Sequence, residues 1–381
     1  MPGVIAGQDE AASIVAKVAM NPELAPTWER LAEASTHATI FQTWEWAWSW
    51  WQHFARRARP LILVARDGQD EVGLAPLALR VLQPFGIRRI ELLGCGVSDY
   101  LDMLTLPGRE VEVAERTWAF LEKSAGAWDL IDLQQVPESA PWLENLLRLA
   151  AQRGWPARLS IQEICPAAQL PSNWQDFQSS LSKKLRFNLG RSRKLLDKLG
   201  PVRVERARGK DAAKVLELLF LLHGRRWIRK GLPGSFASPK VRAFHRQAAR
   251  ELDSKGRLAL YYLAVNGRIG AGLYCFEFRD TVFYYQAGFD PGLARYSPGA
   301  VILSEAIRRA IESGKRTFDF LRGAEAYKYR WLASDRRNLR LRIGQPSARS
   351  RLAWKLSFWQ EAAERRVKEA VASPCVPGGS S

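Results

Sequence analysis

Residues 318–331 read FDFLRGAEAYKYRW and bring carboxylates, phenols, a lysine, arginines and an indole into one short stretch of chain. That mixture suits transfer of an acyl group to an amine or hydroxyl. Such a reaction needs its reactants aligned, an ammonium proton removed and a developing oxyanion stabilised. Asp319 and Glu325 are the candidate bases or ammonium anchors, Tyr327 or Tyr329 could protonate a leaving thiolate, and Lys328 stands among them as a further catalytic candidate. Arg322 and Trp331 offer a cation and an apolar surface to an anionic, partly apolar substrate. Side chains alternate along a strand, so Asp319 points away from Phe318 and Phe320, toward either a cleft or solvent.

Upstream, residues 284–307 read YYQAGFDPGLARYSPGAVILSEAI, an aromatic strand followed by a long loop and an apolar helix. Ser297 is the expected N-cap and Pro298 the first helical residue. Loop amides and a helix N-terminus converging on one spot favour a phosphate group. Gly288, Pro291, Gly292 and Gly299 would let the backbone approach a ligand, and Arg295 would add a charge-assisted contact. Gln286, Arg295, Tyr296, Ser297 and Gly299 are therefore the candidate cofactor-binding residues. The alternative is a loop shaped only by strand-to-helix packing.

The elements that must position these groups repeat. In the C-terminal half, LALYYLAV reaches Asn266-Gly267, a strong hairpin signal, and RIGAGLYCFEF and TVFYYQAG complete a three-strand meander. The helix after the loop and the strand TFDFL then place the last two strands parallel and adjacent. The N-terminal half has the same β-β-β-α-β order, and LIDL at 130–133 echoes FDFL at 318–321. The expectation is an α/β (α+β) fold of tandem domains, each a mixed, mainly antiparallel sheet flanked by helices. The expected segments are 1–170, a basic connecting helix at 171–200, 201–345, and a basic amphipathic tail at 346–381.

Two further stretches invite function. Residues 41–54, FQTWEWAWSWWQHF, form either a stacking platform for bases or sugars or a helix buried against a sheet. GCGVSDYLDML ends a strand with Asp99 and Tyr100, candidate substrate-binding residues unless the segment is a plain turn.

With 381 residues and 47% hydrophobic content the chain has room for two cores, and its net charge of +18 favours anionic partners. The basic residues cluster at 183–194, 322–342 and 349–368. No apolar run reaches the roughly 18 residues of a membrane span, and Asp9 and Glu10 do not suit a secretory leader, so a cytoplasmic location is expected. The scattered Cys95, Cys165, Cys275 and Cys375 and four histidines show no metal-ligand spacing, and no metal is expected. Gly267, Gly270 and Gly272 imitate a dinucleotide loop but lie within a strand pattern.

YYQAGFDPGLARYSPG, FDFLRGAEAYKYRW and SLSKKLRFNLGRSRKLL together resemble the CelD-like acyltransferase family of GNAT type, associated with cellulose biosynthesis and related to the FemAB aminoacyl transferases. The resemblance covers roughly residues 41–342. It implies tandem GNAT-like domains, with acyl-CoA or acetyl-CoA as co-substrate and its pyrophosphate held at residues 295–299. RYSPGA departs from the family's Q/R-x-x-G-x-G/A pattern by one glycine, which leaves acyl carrier protein or aminoacyl-tRNA as other donors. The implied acceptor is an amine or hydroxyl of a small molecule, cell-envelope or polysaccharide precursor. A FemAB-like transferase using tRNA, through the helix near Lys183, and a non-catalytic assembly factor are the alternatives. In the latter the tail would lie on the anionic inner membrane, with Leu352, Leu356 and Trp359 on one helix face.

Overall fold

The computed structural model describes residues 12–17, 19–56, 58–228, 231–232 and 234–372. The chain divides into two compact units, residues 1–162 with 338–381, and residues 163–337.

In the first unit β1 (Ala12–Lys17), α1 (Ala25–Ala34) and α2 (Trp44–Phe54) precede the hairpin of β2 (Ala58–Asp67) and β3 (Asp70–Leu82). β4 (Ile87–Leu92), the short β5 (Leu104–Thr105), α3 (Glu110–Lys123), β6 (Leu130–Pro137) and α4 (Leu143–Gln152) follow. The β2–β3 turn forms where Asp67 and Gly68 stand, with Gly68 at φ 57°. β1 to β4 are antiparallel neighbours, whereas β6 runs parallel to β4 because α3 carries the chain back across the sheet. α3 buries Val113, Ala114, Trp118 and Leu121, one apolar stripe at helical spacing.

The second unit takes residues from 163 onward in β7 (Ala157–Gln169), then α5 (Trp174–Ser180), α6 (Lys183–Asp197), β8 (Val202–Ala207), α7 (Gly209–Ile228) and α8 (Pro239–Ser254). The meander β9 (Leu258–Val265), β10 (Arg268–Phe278) and β11 (Thr281–Phe289) leads through a 3-10 turn, Pro291–Tyr296, into α9 (Pro298–Glu312) and β12 (Thr317–Asp319). The sheet of this unit runs β8-β9-β10-β11-β12-β7. β11 and β12 pair in parallel, again because a helix intervenes. After the one-turn α10 (Ala326–Tyr329), β13 (Ser334–Gly344) carries the chain back into the first unit, where it pairs with β6 and is followed by α11 (Ala348–Ala372).

The compact units thus differ from the four expected segments. β13 supplies the last strand of the first sheet and α11 belongs to that unit, while α6 packs against α9 inside the second unit. The single basic connecting helix expected at 171–200 is two helices. Ser182 leaves helical geometry (ψ 144°) and its hydroxyl accepts from the Leu185 amide at 3.2 Å, capping α6 and ending α5.

The tryptophan-rich α2 is mostly a core helix. Trp46 and Trp50 are buried, and their indole N–H groups donate to the Ser98 hydroxyl at 2.7 Å and the Cys95 carbonyl at 3.1 Å.

Candidate active site

The meander and its crossover helix create a local defect in the sheet of the second unit. β11 pairs with β12 at Thr281↔Thr317, Val282↔Phe318 and Phe283↔Asp319, and there the pairing stops. Leu321 turns left-handed at φ 55°, and the chain then bonds toward β7, Phe320 N to Pro166 O at 2.9 Å and Gly323 N to Ile164 O at 2.8 Å. β11 continues to Phe289 on its ladder with β10, with a bulge at Tyr285. Among the described residues, the β12-facing edge of residues 284–289 has no strand beside it. Tyr284 packs on Phe318 and Phe320, and Tyr285 on His245 and Phe276, so the adjacent tyrosines lie on opposite faces, as in regular strand alternation.

The far end of that edge meets the long loop. Asp290 accepts from the Gly292 amide at 2.9 Å and starts the 3-10 turn, and α9 begins at Pro298. Ser297 is not the expected side-chain cap. It is left-handed (φ 49°), exposed, and its carbonyl accepts from Ala300 N at 3.0 Å. Tyr296 is buried, with the exposed Arg295 laid over its ring at 4.7 Å. The Gln286 amide donates to the Ser235 hydroxyl at 3.2 Å, tying β11 to the α7–α8 connection. Gly299 borders Phe289 with ordinary space around it. Gly288, expected to bring backbone to a ligand, instead admits a helix. A Cβ there would stand 3.0 Å from the His223 amide nitrogen and 3.2 Å from Leu222 Cβ of α7.

The structure separates the candidates after β12. Asp319 is fully buried, facing neither cleft nor solvent; its carboxylate accepts from the Leu321 amide at 2.8 Å and lies 3.4 Å from Arg336. Lys328 is buried, and its ammonium donates to the carbonyls of Leu321, Arg322 and Gly323 at 2.8–3.0 Å and contacts the Glu325 carboxylate at 3.0 Å. It holds the left-handed loop closed. Trp331 is part of the core. Glu325, Tyr327 and Tyr329 are exposed and Arg322 half-buried. Tyr329 donates to Asp335 at 2.7 Å, and that bond pushes its phenol up to about 12. Tyr284 and Tyr285 were not singled out from sequence. Their signal was a tyrosine pair at the end of a strand that precedes a long loop.

Asp99 and Tyr100 lie elsewhere, in the interior of the first unit. There β4 and β6 also pair over a short parallel stretch, Arg89↔Leu130 and Ile90↔Ile131. The segment 94–103 folds back beside β6, with Leu101 N donating to Gln135 O at 2.7 Å and Gln42 to the Tyr100 carbonyl. Asp102, within the same segment, accepts from Trp142 and from the Met103 amide, both at 2.7 Å. Burial outweighs those bonds and raises its carboxyl to about 7. No group of three or more His, Cys, Asp or Glu among the described residues could hold a metal ion. No helix among them is long and apolar enough to cross a membrane.

Residues 183–329 match the family model described as an acetyltransferase (GNAT) domain. The fold is similar to that of FemX, with 10% identity over 83% of this chain and 95% of that one and a TM-score of 0.62. It is also similar to a conserved protein of unknown function from Bacteroides thetaiotaomicron, with 11% identity over 87% and 100% of the two chains and a TM-score of 0.58. For L-PGS from Bacillus licheniformis the identity is 11%, the shares covered 86% and 93%, and the TM-score 0.52. At these identities the likeness is one of fold. No curated protein matches the sequence. Residues 183–329, which contain the interrupted β11–β12 pair and the helix between its strands, thus match the acetyltransferase (GNAT) domain model, in a chain whose fold is similar to that of FemX.

Proposed function

We propose that this protein is an acyltransferase that moves an acyl group from a thioester donor to an amine or hydroxyl of a cell-envelope or polysaccharide precursor. The observation that carries this reading is the three-residue limit of the β11–β12 pairing. A strand that loses its neighbour inside a sheet leaves a gap beside it that an extended ligand can fill as an added strand. The pantetheine arm of acyl-CoA or acyl carrier protein is such a ligand, with amides of its own.

The arm would lie along residues 284–289, and its phosphate would meet the loop and helix start at residues 295–299. Arg295 supplies the nearby exposed charge. The acceptor nitrogen or oxygen attacks the thioester carbonyl, the C–S bond breaks, and the acceptor's proton is lost as the thiolate gains one. Tyr327 is assigned as the acid and Glu325, whose carboxylate also contacts Lys328 at 3.0 Å, as the ammonium anchor, because both are exposed beside the loop that Lys328 holds. Tyr329 is committed to Asp335. Gln286, Tyr296, Ser297 and Gly299 shape the donor site through the backbone.

Isothermal titration of the protein with acetyl-CoA and longer acyl-CoA thioesters, followed by acyl carrier protein thioesters, tests the donor. Micromolar binding of one class is expected. The absence of binding by every thioester would overturn the reading.

A further inference from the structure

Helix α6 carries two sets of basic side chains with different roles. Arg186 donates to the carbonyls of Gln178 and Ser179, at 3.3 and 2.7 Å, and closes the end of α5. Arg193 donates to Val202 O at 3.0 Å and pairs with Asp197, the acid of this helix. By contrast Lys183, Lys184, Arg191, Lys194 and Lys198 are exposed and make no hydrogen bond or ion pair among the described residues.

Their spacing puts them together. At 3.6 residues per turn, positions 183, 184, 191, 194 and 198 fall within an arc of about 100°, with position 187 in its middle. Position 187 is Phe187, 69% exposed. The stripe extends for about 22 Å at 1.5 Å per residue. The opposite side of α6 is buried through Ser192 and Leu196, with Leu185 and Leu189 packed against the core of the second unit. α6 packs against both α9 and the 3-10 turn Pro291–Tyr296 that precedes it.

We propose that this stripe docks an acidic, helical carrier protein that delivers the acyl group on a phosphopantetheine arm. The inference rests on the thioester reading above and names its donor class. Charge complementarity calls for an anionic partner, and α6 is itself in contact with the turn before α9, the element assigned to the arm's phosphate. Phe187 adds an exposed apolar contact suited to a protein surface, and because bases also stack on a phenyl ring an RNA hairpin is the competing ligand of the test. A bilayer is disfavoured because the apolar side of α6 is already buried in the core and cannot insert.

The test is fluorescence anisotropy with labelled acyl carrier protein lacking its arm, titrated with the full-length protein at low and high salt. The variants are K184E/R191E and F187A. Binding weakened about tenfold or more by the charge reversal, lowered in F187A and salt-sensitive in the wild type is the expected result. All the altered side chains are exposed, and thermal melting verifies that the variants fold. Carrier protein that fails to bind at low salt, or binds K184E/R191E as tightly as wild type, overturns the inference. So does preferential binding of an RNA hairpin or of phosphatidylglycerol vesicles through the same residues. Docking without transfer from any thioester would sustain the surface while removing the catalytic reading, so the two fail separately.

Discussion

Asp132 and Asp319 are the buried aspartates of β6 and β12. Each sits on the strand that follows the crossover helix, each is fully buried, and each faces an arginine that comes later in the chain. In the first unit Arg340 grips Asp132 with two hydrogen bonds of 2.7 Å, with Arg89 at 3.6 Å and Arg342 at 3.7 Å beyond. Burial alone would raise the Asp132 carboxyl, but Arg340 and the other two arginines hold it below the usual range. In the second unit Arg336 makes one contact of 3.4 Å and is itself partly exposed. The LIDL and FDFL segments thus each carry one buried carboxylate that faces an arginine, at positions one residue apart in the two motifs.

Removing Asp132 should be severe, because it leaves buried guanidinium groups without their shared anion. Asp132→Ala is expected to cost about 3–5 kcal/mol, read from urea unfolding. Asp319→Ala should cost less, because Arg336 reaches solvent.

The close approach of α7 to the sheet gives a second expectation. Gly272 and Gly288 are register partners on β10 and β11, and both face α7. Gly288→Ala meets helix backbone at 3.0 Å and should cost about 1–3 kcal/mol. Gly272→Ala meets the flexible Leu219 Cδ1 at 3.3 Å and should cost less, a ranking that thermal melting checks.

Lys328→Met would remove the donor for three carbonyls and should destabilise the protein by about 2–4 kcal/mol. If Lys328 is positional, activity falls together with folded fraction while the pH profile of the remaining activity keeps its shape. Tyr327→Phe should lower kcat at unchanged stability, and Tyr329→Phe should leave kcat near wild type.

Stability should depend on pH through Asp102. Its folded carboxyl titrates near 7 because burial outweighs its hydrogen bonds, whereas the unfolded value is about 4. Folding therefore takes up a proton between these values, and stability falls as pH rises from about 4 to 7. Asp102→Asn keeps an acceptor for Trp142 and should raise the melting temperature at pH 8 but not at pH 4. His245 works in the opposite direction. Burial lowers it to about 3, so its contribution is lost as pH falls below about 6.5 toward that value.

Local rules in the sequence determined most elements. Asn266-Gly267 sets the β9–β10 hairpin, with both residues left-handed, and the β-β-β-α-β order determines that β12 runs parallel to β11. In α9 and α3 the buried apolar residues recur at helical spacing, which is legible in sequence because helical periodicity is a property of neighbouring positions. Tertiary structure decided what depends on distant partners. Lys328 reads as a reactive lysine until the carbonyls of residues 321–323 are folded around it, and Asp319 until β7 and β11 flank its strand. Burial and long-range hydrogen bonding have no period along the chain, so the same residue types can serve catalysis or hold a loop. The division into units is of the same kind: β13 belongs to the first sheet because its register with β6 satisfies its backbone there.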